Sequence, residues 1–586
     1  MNTLPEVSIA EVMRHVHHMS TQTPFRKSGT AQDKQAAEYV VAQMRQFGLD
    51  AKVETFEVYD SDPGTVSLEI VGPNAIKLDA RACAHVEPTP PGGYTAELVD
   101  VGPGAIANYE GKDVKGKIVL AEVSYSPATP EKARIAASMG AAGIILMNWG
   151  RGDEPGMPWR GLKAVWGNPT PETWNQIPRL FGASISRRDG ERLRELLAKG
   201  PVTLKAEVTA ARDWREVYQP IAWLRAPETA VERDKFVIVS GHLDSWDPGV
   251  TDNITGDAVM LEVARALSGM RDRLRRSVVF CFWNGHEVAE AAGSTYFVDD
   301  NWEAINTNAV AYLNIDSVGM KGTGLFNISS CPELAQFVET CAQRSLGDSM
   351  PIHVSNLERI GDQSFFGVGV AAATGRHGFT PEVVAEYNGA TLGWYNHTEF
   401  DTIEVLDEAI LARDLAYWND VITTLGTMAV LPHRFTPRID DMAGRMKAMF
   451  EGLPADDITG LGRIVESIER LRPLVKWFDA YLDGLDAGAD GLARANRVIT
   501  RLSRQLTFIT GSASGKYEQD SYGISTLKLP VPFLSALEDY RRAERDSDAW
   551  HLFVTRLQRD RHVVTDALQA ATDILVDFQD WTQVRA

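Results

Sequence analysis

Apolar positions change period along the chain, and the changes divide it. In "DKQAAEYVVAQMRQFGLDAKVETFEV", Ala37, Val40, Val41 and Met44 share one helical face that stops at Gly48, and residues Ala51 to Val58 then alternate as a strand. After "YDSDPG" the character changes. From roughly residue 65 to 210 short alternating stretches are broken by Gly and Pro ("VKGKIVLAEV", "GAAGIILMNWG", "IPRLFGASIS"), which predicts an inserted, β-rich domain. Strand–helix alternation returns with "KFVIVSGHLDSW", the helical "GDAVMLEVARALSGM", and the strands "RSVVFCFWNGHE" and "NAVAYLNIDSVG". That order predicts an α/β domain, a mostly parallel mixed sheet flanked by helices. Beyond about residue 435, "ITGLGRIVESIERLRPLVKWFDAYLDGL", "ANRVITRLSRQLTF" and "HLFVTRLQRDRHVVTDALQAATDILVDF" space their apolar residues by three and four, so a helical domain follows. The expected division is 1–64 with 211–434, an insert at 65–210, and helices over 435–586.

Composition narrows the function classes. A chain of 586 residues is too long for one core, and 44% hydrophobic with 24% charged residues is the balance of a globular protein. With 59 Lys and Arg against 79 Asp and Glu, the net charge of −20 argues against nucleic acid or an anionic membrane as partner. Cys83, Cys281, Cys331 and Cys341 lack CxxC spacing and read as buried free thiols. The start "MNTLPEVSIAEVMRHVHHMS" has no apolar targeting segment, and no run approaches ~18 apolar residues. A cytoplasmic protein is expected. His15, His17 and His18 lie on a helix-like stretch without carboxylates at ligand spacing, which argues against a metal site there.

The polar signals cluster just after the strands, where open α/β sheets assemble ligand sites. They are His242 in "GHLDSW", Asp252 in "GVTDN", Glu287 in "NGHE", Asp316 in "LNIDS" and His397 in "YNHTEFDT". One acidic residue shared by two ions, with a histidine and a carboxylate completing each side, is the ligand set of a two-metal hydrolytic site. Imidazole and carboxylate together suit zinc, and a single or different transition metal is the alternative.

In this order the motifs resemble the co-catalytic zinc aminopeptidase and carboxypeptidase family, peptidase family M28, and especially its glutamate carboxypeptidase and transferrin receptor branch. "DVKGKIVLAEVS" and "ARIAASMGAAGIIL" resemble that branch's protease-associated insert, and the helical C-terminal part resembles its dimerisation domain. The resemblance implies that His242 and Asp316 bind one ion, that Glu287 and His397 bind the other, and that Asp252 bridges. It implies that the Asp244 carboxylate orients a ligand histidine. Lys516 and Tyr517 in "SGKYEQDSYG" match a Lys-Tyr pair that reaches a partner-facing substrate pocket. "GDQSFF" and "TGRHGF" fall where the family places pocket loops, and Arg376 is a candidate to hold a substrate carboxylate.

One departure stands out. The family's peptidases carry a glutamate base immediately before the metal-binding Glu, and this chain has His286. The segment is also one residue longer, leaving Glu290 as an extra carboxylate. His286 is then the acid-base group, a member of a metal shell, or the mark of a different reaction. Protonating an imidazole beside two cations is costly, so a depressed pKa is expected. The leading expectation is a homodimeric metal-dependent hydrolase of an amide or peptide-like bond in a small amino-acid-like substrate. The alternatives are another metal-assisted reaction (a lyase, or a deaminating or decarbamoylating hydrolase) and a receptor-like binding protein.

Overall fold

The computed structural model describes residues 4–72, 75–124, 126–347, 350–359, 361–453, 457–486, 488, 490–521 and 529–585. Two long strands organise it: β1 (Asp50–Ile70) and β8 (Thr203–Leu224) pair antiparallel from Asp50↔Trp223 to Ile70↔Leu204. The strand predicted to end at Val58 thus continues through "YDSDPG". Register shifts between Pro63 and Val66, so the proline sits where the ladder is already broken. A side chain at Gly64 would come within 2.3 Å of the Thr209 carbonyl, which explains a glycine there in a strand rather than a turn.

Between these strands lie β2 (Ile76–Leu78), β3 (Arg81–Ala82), β4 (Tyr94–Asp100), β5 (Ile118–Glu122), β6 (Gly143–Met147) and β7 (Phe181–Ile185). Strands β4 to β7 are parallel neighbours, with helices at Thr129–Ser138 and Arg187–Leu197. The insert is therefore itself α/β rather than simply β-rich, with its own core around Leu120, Ile144, Leu146 and Ile185.

The second half of the sheet comprises β9 (Phe236–His242), β10 (Ser277–Trp283), β11 (Ala309–Asn314), β12 (Leu325–Ser330), β13 (Ile352–Asn356) and β14 (Ala372–Gly378), in the order β13-β12-β14-β11-β9-β10-β8. Every residue of β9, β10 and β11 is buried, as expected of parallel strands covered on both faces. Strand β9 has β10 on one side and β11 on the other, both parallel to it. The chain therefore reverses its direction of travel across the sheet at β9, and this switch point opens a crevice at the strand ends.

Helices Thr436–Met449, Gly462–Asp483, Leu492–Gly511 and Asp548–Arg585 follow. Their apolar stripes, including Phe478, Leu502, Leu506 and Leu575, join the same core as β9 to β11. All four cysteines are buried and free, and His15 Nδ1 lies 2.7 Å from the Tyr39 hydroxyl. Among the described residues no helix is long and apolar enough to cross a membrane.

Arg504 fastens the helical region to the sheet domain. Its buried guanidinium donates to the carbonyls of Asn306 (2.8 Å), Ile305 (2.8 Å), Gly369 (3.0 Å) and Ala309 (2.5 Å). Arg504→Leu leaves these acceptors without a donor and should cost roughly 3 kcal/mol. A lowered denaturant midpoint, followed by circular dichroism, is the expected result, and an unchanged midpoint would contradict the role.

Candidate metal centre

Three strand ends supply the first side chains. His242 closes β9, Glu287 follows β10 after a short loop and Asp316 follows β11. The ends are level because Trp283 pairs with His242, while Ser240 pairs with Asn314 and accepts from the Ile315 amide at 2.7 Å. Asp252 comes from the turn before the Thr255–Ser268 helix, and His397 from the loop before the Glu408–Thr427 helix.

The five predicted residues converge. His242 Nε2 lies 2.9 Å from Asp252 Oδ1 and 3.8 Å from Asp316 Oδ1. His397 Nε2 lies 3.1 Å from Asp252 Oδ2 and 3.1 Å from Glu287 Oε2. Each oxygen of Asp252 therefore faces a different histidine. Ligand atoms of His242, Asp252 and Glu287 all fall within 4.8 Å of one another.

The donor chemistry tests whether a divalent cation fits. His242 Nδ1 lies 2.9 Å from the Asp244 carbonyl, which only accepts, so Nδ1 carries a proton. Nε2 is then either protonated or an acceptor facing acceptors. Burial opposes charge on His242, yet Asp252, Asp316 and Glu287 raise its pKa well above the ordinary value. Burial also works against ionised Asp252, but His242 and His397 hold its pKa well below the usual range. A cation that replaced those imidazole protons would satisfy the same carboxylates, and the residues fit it.

Surrounding groups aim the oxygens. The Asn396 amide donates to Asp252 Oδ2 at 2.5 Å, and the Trp246 indole donates to Glu287 Oε2 at 3.2 Å. Asp401 accepts from the Thr251 amide (2.9 Å), the Thr251 hydroxyl (2.9 Å) and the Asp252 amide (3.1 Å), while burial pushes its pKa up to about 7. The Asp244 carboxylate does not touch a histidine ring. It accepts from the backbone amides of His286 and Glu287, each at 3.1 Å, and only its main-chain carbonyl orients His242.

His286 lies flat on His242, ring centres 4.1 Å apart, and turns Nδ1 to Asp362 Oδ2 at 2.8 Å. Burial lowers its pKa, but Asp362 outweighs this and raises it to about 9. The sequence expectation weighed the cations; the structure adds a buried carboxylate, Asp362, behind the ring.

Asp252, His286, Glu287, Asp316, Asn396 and His397 line a cavity of about 330 Å³. Arg376 is in its wall, with Nη1 donating to the Asp316 carbonyl at 3.2 Å. Glu290 also lines it, but its carboxylate is turned against Gly161 of the insert, with the Lys163 amine nearby. The insert contributes Trp149, Arg160 and Gly161 to the wall, and Arg160 Nη1 lies 3.1 Å from His397 Nδ1. Lys516 and Tyr517 do not line this cavity within their own chain. Lys516 lies over the Phe508 ring, and Tyr517, 76% exposed, packs on Trp302, because this loop folds back on its own helix.

Sequence reasoning missed the roles of Asn396, Asp401, Asp362, Trp246 and Arg160. Asn396 and Asp401 flank His397 in "YNHTEFDT" and Asp362 stands in "GDQSFF", so the motifs were visible without the contacts.

Comparison with known proteins agrees with this picture. Residues 224–419 match Peptidase family M28 and residues 94–193 match the PA domain. A probable glutamate carboxypeptidase of Zea mays is 27% identical over 366 residues, 52% of this chain and 50% of that protein. Aminopeptidase YwaD of Bacillus subtilis is 30% identical over 298 residues, 50% of this chain and 58% of that protein. The chain thus spans about half the length of these curated relatives. The solved structure of BSAP, a zinc aminopeptidase from Bacillus subtilis, shares the fold with a TM-score of 0.54 and 23% identity, covering 72% of this chain and 95% of that one.

If Asp401 holds the Asp252 loop for a cation, Asp401→Asn should weaken divalent metal binding by about 10- to 100-fold. Competition against a chromogenic chelator measures this, and wild-type affinity in the variant would contradict it.

Proposed function

With a peptidase family M28 domain at residues 224–419 as the premise, we propose that the protein is a metal-dependent hydrolase of an amide or peptide-like bond in a small amino-acid-like substrate. The observation that carries this reading is Asp252, whose two oxygens each face a histidine Nε2, with Asp316 and Glu287 on the outer sides. In this reading His242 and Asp316 hold one ion, Glu287 and His397 a second, and Asp252 is shared. Zinc suits the mixed nitrogen and oxygen donors. Divalent ions bound there supply Lewis acidity toward a carbonyl oxygen and acidify water.

The side chains divide the remaining work. Asp362 occupies Nδ1 of His286, so Nε2 is the nitrogen left for the cavity. There it accepts the proton released as water adds to the amide carbon, and returns it to the amine as the C–N bond breaks. Trp246 and Asn396 keep Glu287 and Asp252 aimed inward. Arg376 offers a guanidinium to a substrate carboxylate. The cavity, at about 330 Å³, lies at the small end of ligand pockets and favours a substrate of dipeptide size.

One observation favours a second reading. Asp362 holds His286 toward its protonated form, which suits an acid in a deaminating or decarbamoylating reaction on the same scaffold.

Dialysis against a strong chelator should abolish hydrolysis, and added Zn²⁺ should restore it. A screen of dipeptides, aminoacyl amides and carbamoyl amino acids separates the two readings. Full activity in protein shown metal-free by elemental analysis would overturn both. His286→Ala should lower kcat by roughly 10²- to 10⁴-fold with metal content unchanged. An unchanged kcat would remove His286 as proton carrier.

A further inference from the structure

Past the metal ligands, one face of the sheet lines the cavity. Along β12, Phe326, Ile328 and Ser330 are buried while Asn327 and Ser329 are partly open, and this alternation turns the polar pair to the cavity. On β14 the same face carries Thr374 and Arg376. The register aligns four cavity residues across four strands. Asn314 of β11 pairs with Thr374 of β14, Thr374 with Ser329 of β12, and Ser329 with Ser355 of β13. Each is polar and none carries a charge.

The row offers donors and acceptors together. Asn314 turns Oδ1 to the hydroxyls of Ser240 (3.1 Å) and Tyr312 (3.4 Å), and its amide nitrogen is the nearest atom that a side chain at Gly361, in the cavity wall, would meet. Ser355 Oγ donates to the Ile328 carbonyl at 3.4 Å and lies 3.0 Å from Ser329 Oγ, so Ser329 gives its proton to Ser355 and keeps its lone pairs. Between them the Thr374 hydroxyl both donates and accepts. A carboxamide answers such a row, since its oxygen accepts and its nitrogen donates, whereas a carboxylate only accepts and an apolar group does neither. The size agrees as well. Asn314 and Ser329 stand two strands apart, ~9.6 Å, and a carboxamide with a hydrogen bond of ~2.9 Å on either side spans ~8 Å.

We propose that the row Asn314–Thr374–Ser329 is a specificity subsite for a carboxamide side chain, so that the substrate is a glutamine-like residue in amide linkage. This rests on the hydrolase reading of the site, with Arg376 as anchor of the substrate carboxylate. Arg376 stands two residues beyond Thr374 on the same face, ~6.6 Å along the strand, about the distance from the main-chain carboxylate of a glutamine to its side-chain amide. Arg376 Nη1 donates to the Asp316 carbonyl at 3.2 Å, so a carboxylate held there lies at the edge of the candidate metal centre. An apolar side chain of the same length would strip water from Asn314, Thr374 and Ser329 and return no hydrogen bond. A site built to bond a polar group rejects its apolar analogue for that reason.

Ala-Gln, Ala-Glu and Ala-Met differ in the end group of one side chain of similar length. The readouts are kcat/KM for their hydrolysis and, by calorimetry on the protein as purified, the affinity of their reduced-amide analogues, in which CH2–NH replaces CO–NH. Ala-Gln should exceed the other two about 10-fold in kcat/KM, and its analogue should bind tighter by a similar factor, as two hydrogen bonds imply. Ser329→Ala and Thr374→Val each remove one hydroxyl and should cut the preference for Gln over Met about 3- to 10-fold, with the Met values within about twofold. Equal affinity for the Gln and Met analogues, tighter binding of the Glu analogue, no binding of any analogue, or an unchanged preference in both variants would overturn the proposal. If Thr374→Val fails to fold, Ser329→Ala, at a partly exposed position, gives the same decision. If no dipeptide is hydrolysed while the Gln analogue binds with the expected preference, the hydrolase reading fails and the subsite stands. Hydrolysis of all three at equal kcat/KM upholds the hydrolase reading and removes the subsite.

Discussion

Asp252, Glu287 and Asp316 are drawn together where buried strands end, and such a concentration of carboxylates persists only where positive charge answers it. Burial, joined by the neighbouring Asp252 charge, raises Glu287 in spite of His397, whereas hydrogen bonds to His242 and His397 hold Asp252 down despite the same burial. The ring of donors around them is arranged to keep some oxygens turned inward. Trp246, Asn396 and the backbone amides that cap Asp244 and Asp401 each satisfy one acceptor from outside. Folding such a centre is costly without a compensating cation, so metal binding and stability are coupled through the same residues.

That coupling extends beyond the sheet domain. The β1–β8 ribbon carries the insert on one end and joins the sheet at the other, where β8 pairs with β10. Folding the insert back places Trp159 and Arg160 on His397, Gly161 on Glu290, and Trp166 on the Asp362 loop. An element that sequence alone marks only as an interruption thus supplies one wall of the cavity and touches three of its loops.

Periodicity was enough to read the parallel sheet, because β9, β10 and β11 are uninterrupted apolar runs that only burial on both faces explains. The convergence of His242, Asp252, Glu287, Asp316 and His397 was legible because strand ends at a switch point are neighbours in space. Three things were not legible. Pro63 and Gly64 read as a turn because nothing local reveals that β8 pairs alongside. That the C-terminal helices share one core with β11 was hidden because that strand lies more than a hundred residues away. The contact of Asp362 with His286 spans 76 residues and depends on the exact fold of a loop with positive φ at Gly361 and Asp362.

If His286 stands where the family's peptidases carry a glutamate, the exchange looks electrostatically severe for residue 286 alone, since an imidazole steps between neutral and positive where a carboxylate steps between negative and neutral. The buried Asp362 changes that count. Together with an ionised Asp362, a neutral His286 carries one negative charge, and a protonated His286 carries none. The pair therefore moves between the same two charge states as a single glutamate. Charge balance next to the candidate cation site is preserved, although the proton now resides on nitrogen. What differs is geometry: a carboxylate offers two equivalent oxygens, whereas the imidazole offers one nitrogen whose direction is set by its partner. A proton carrier built on such a pair would depend on the groups that hold Asp362 in a way that one built on a lone carboxylate would not.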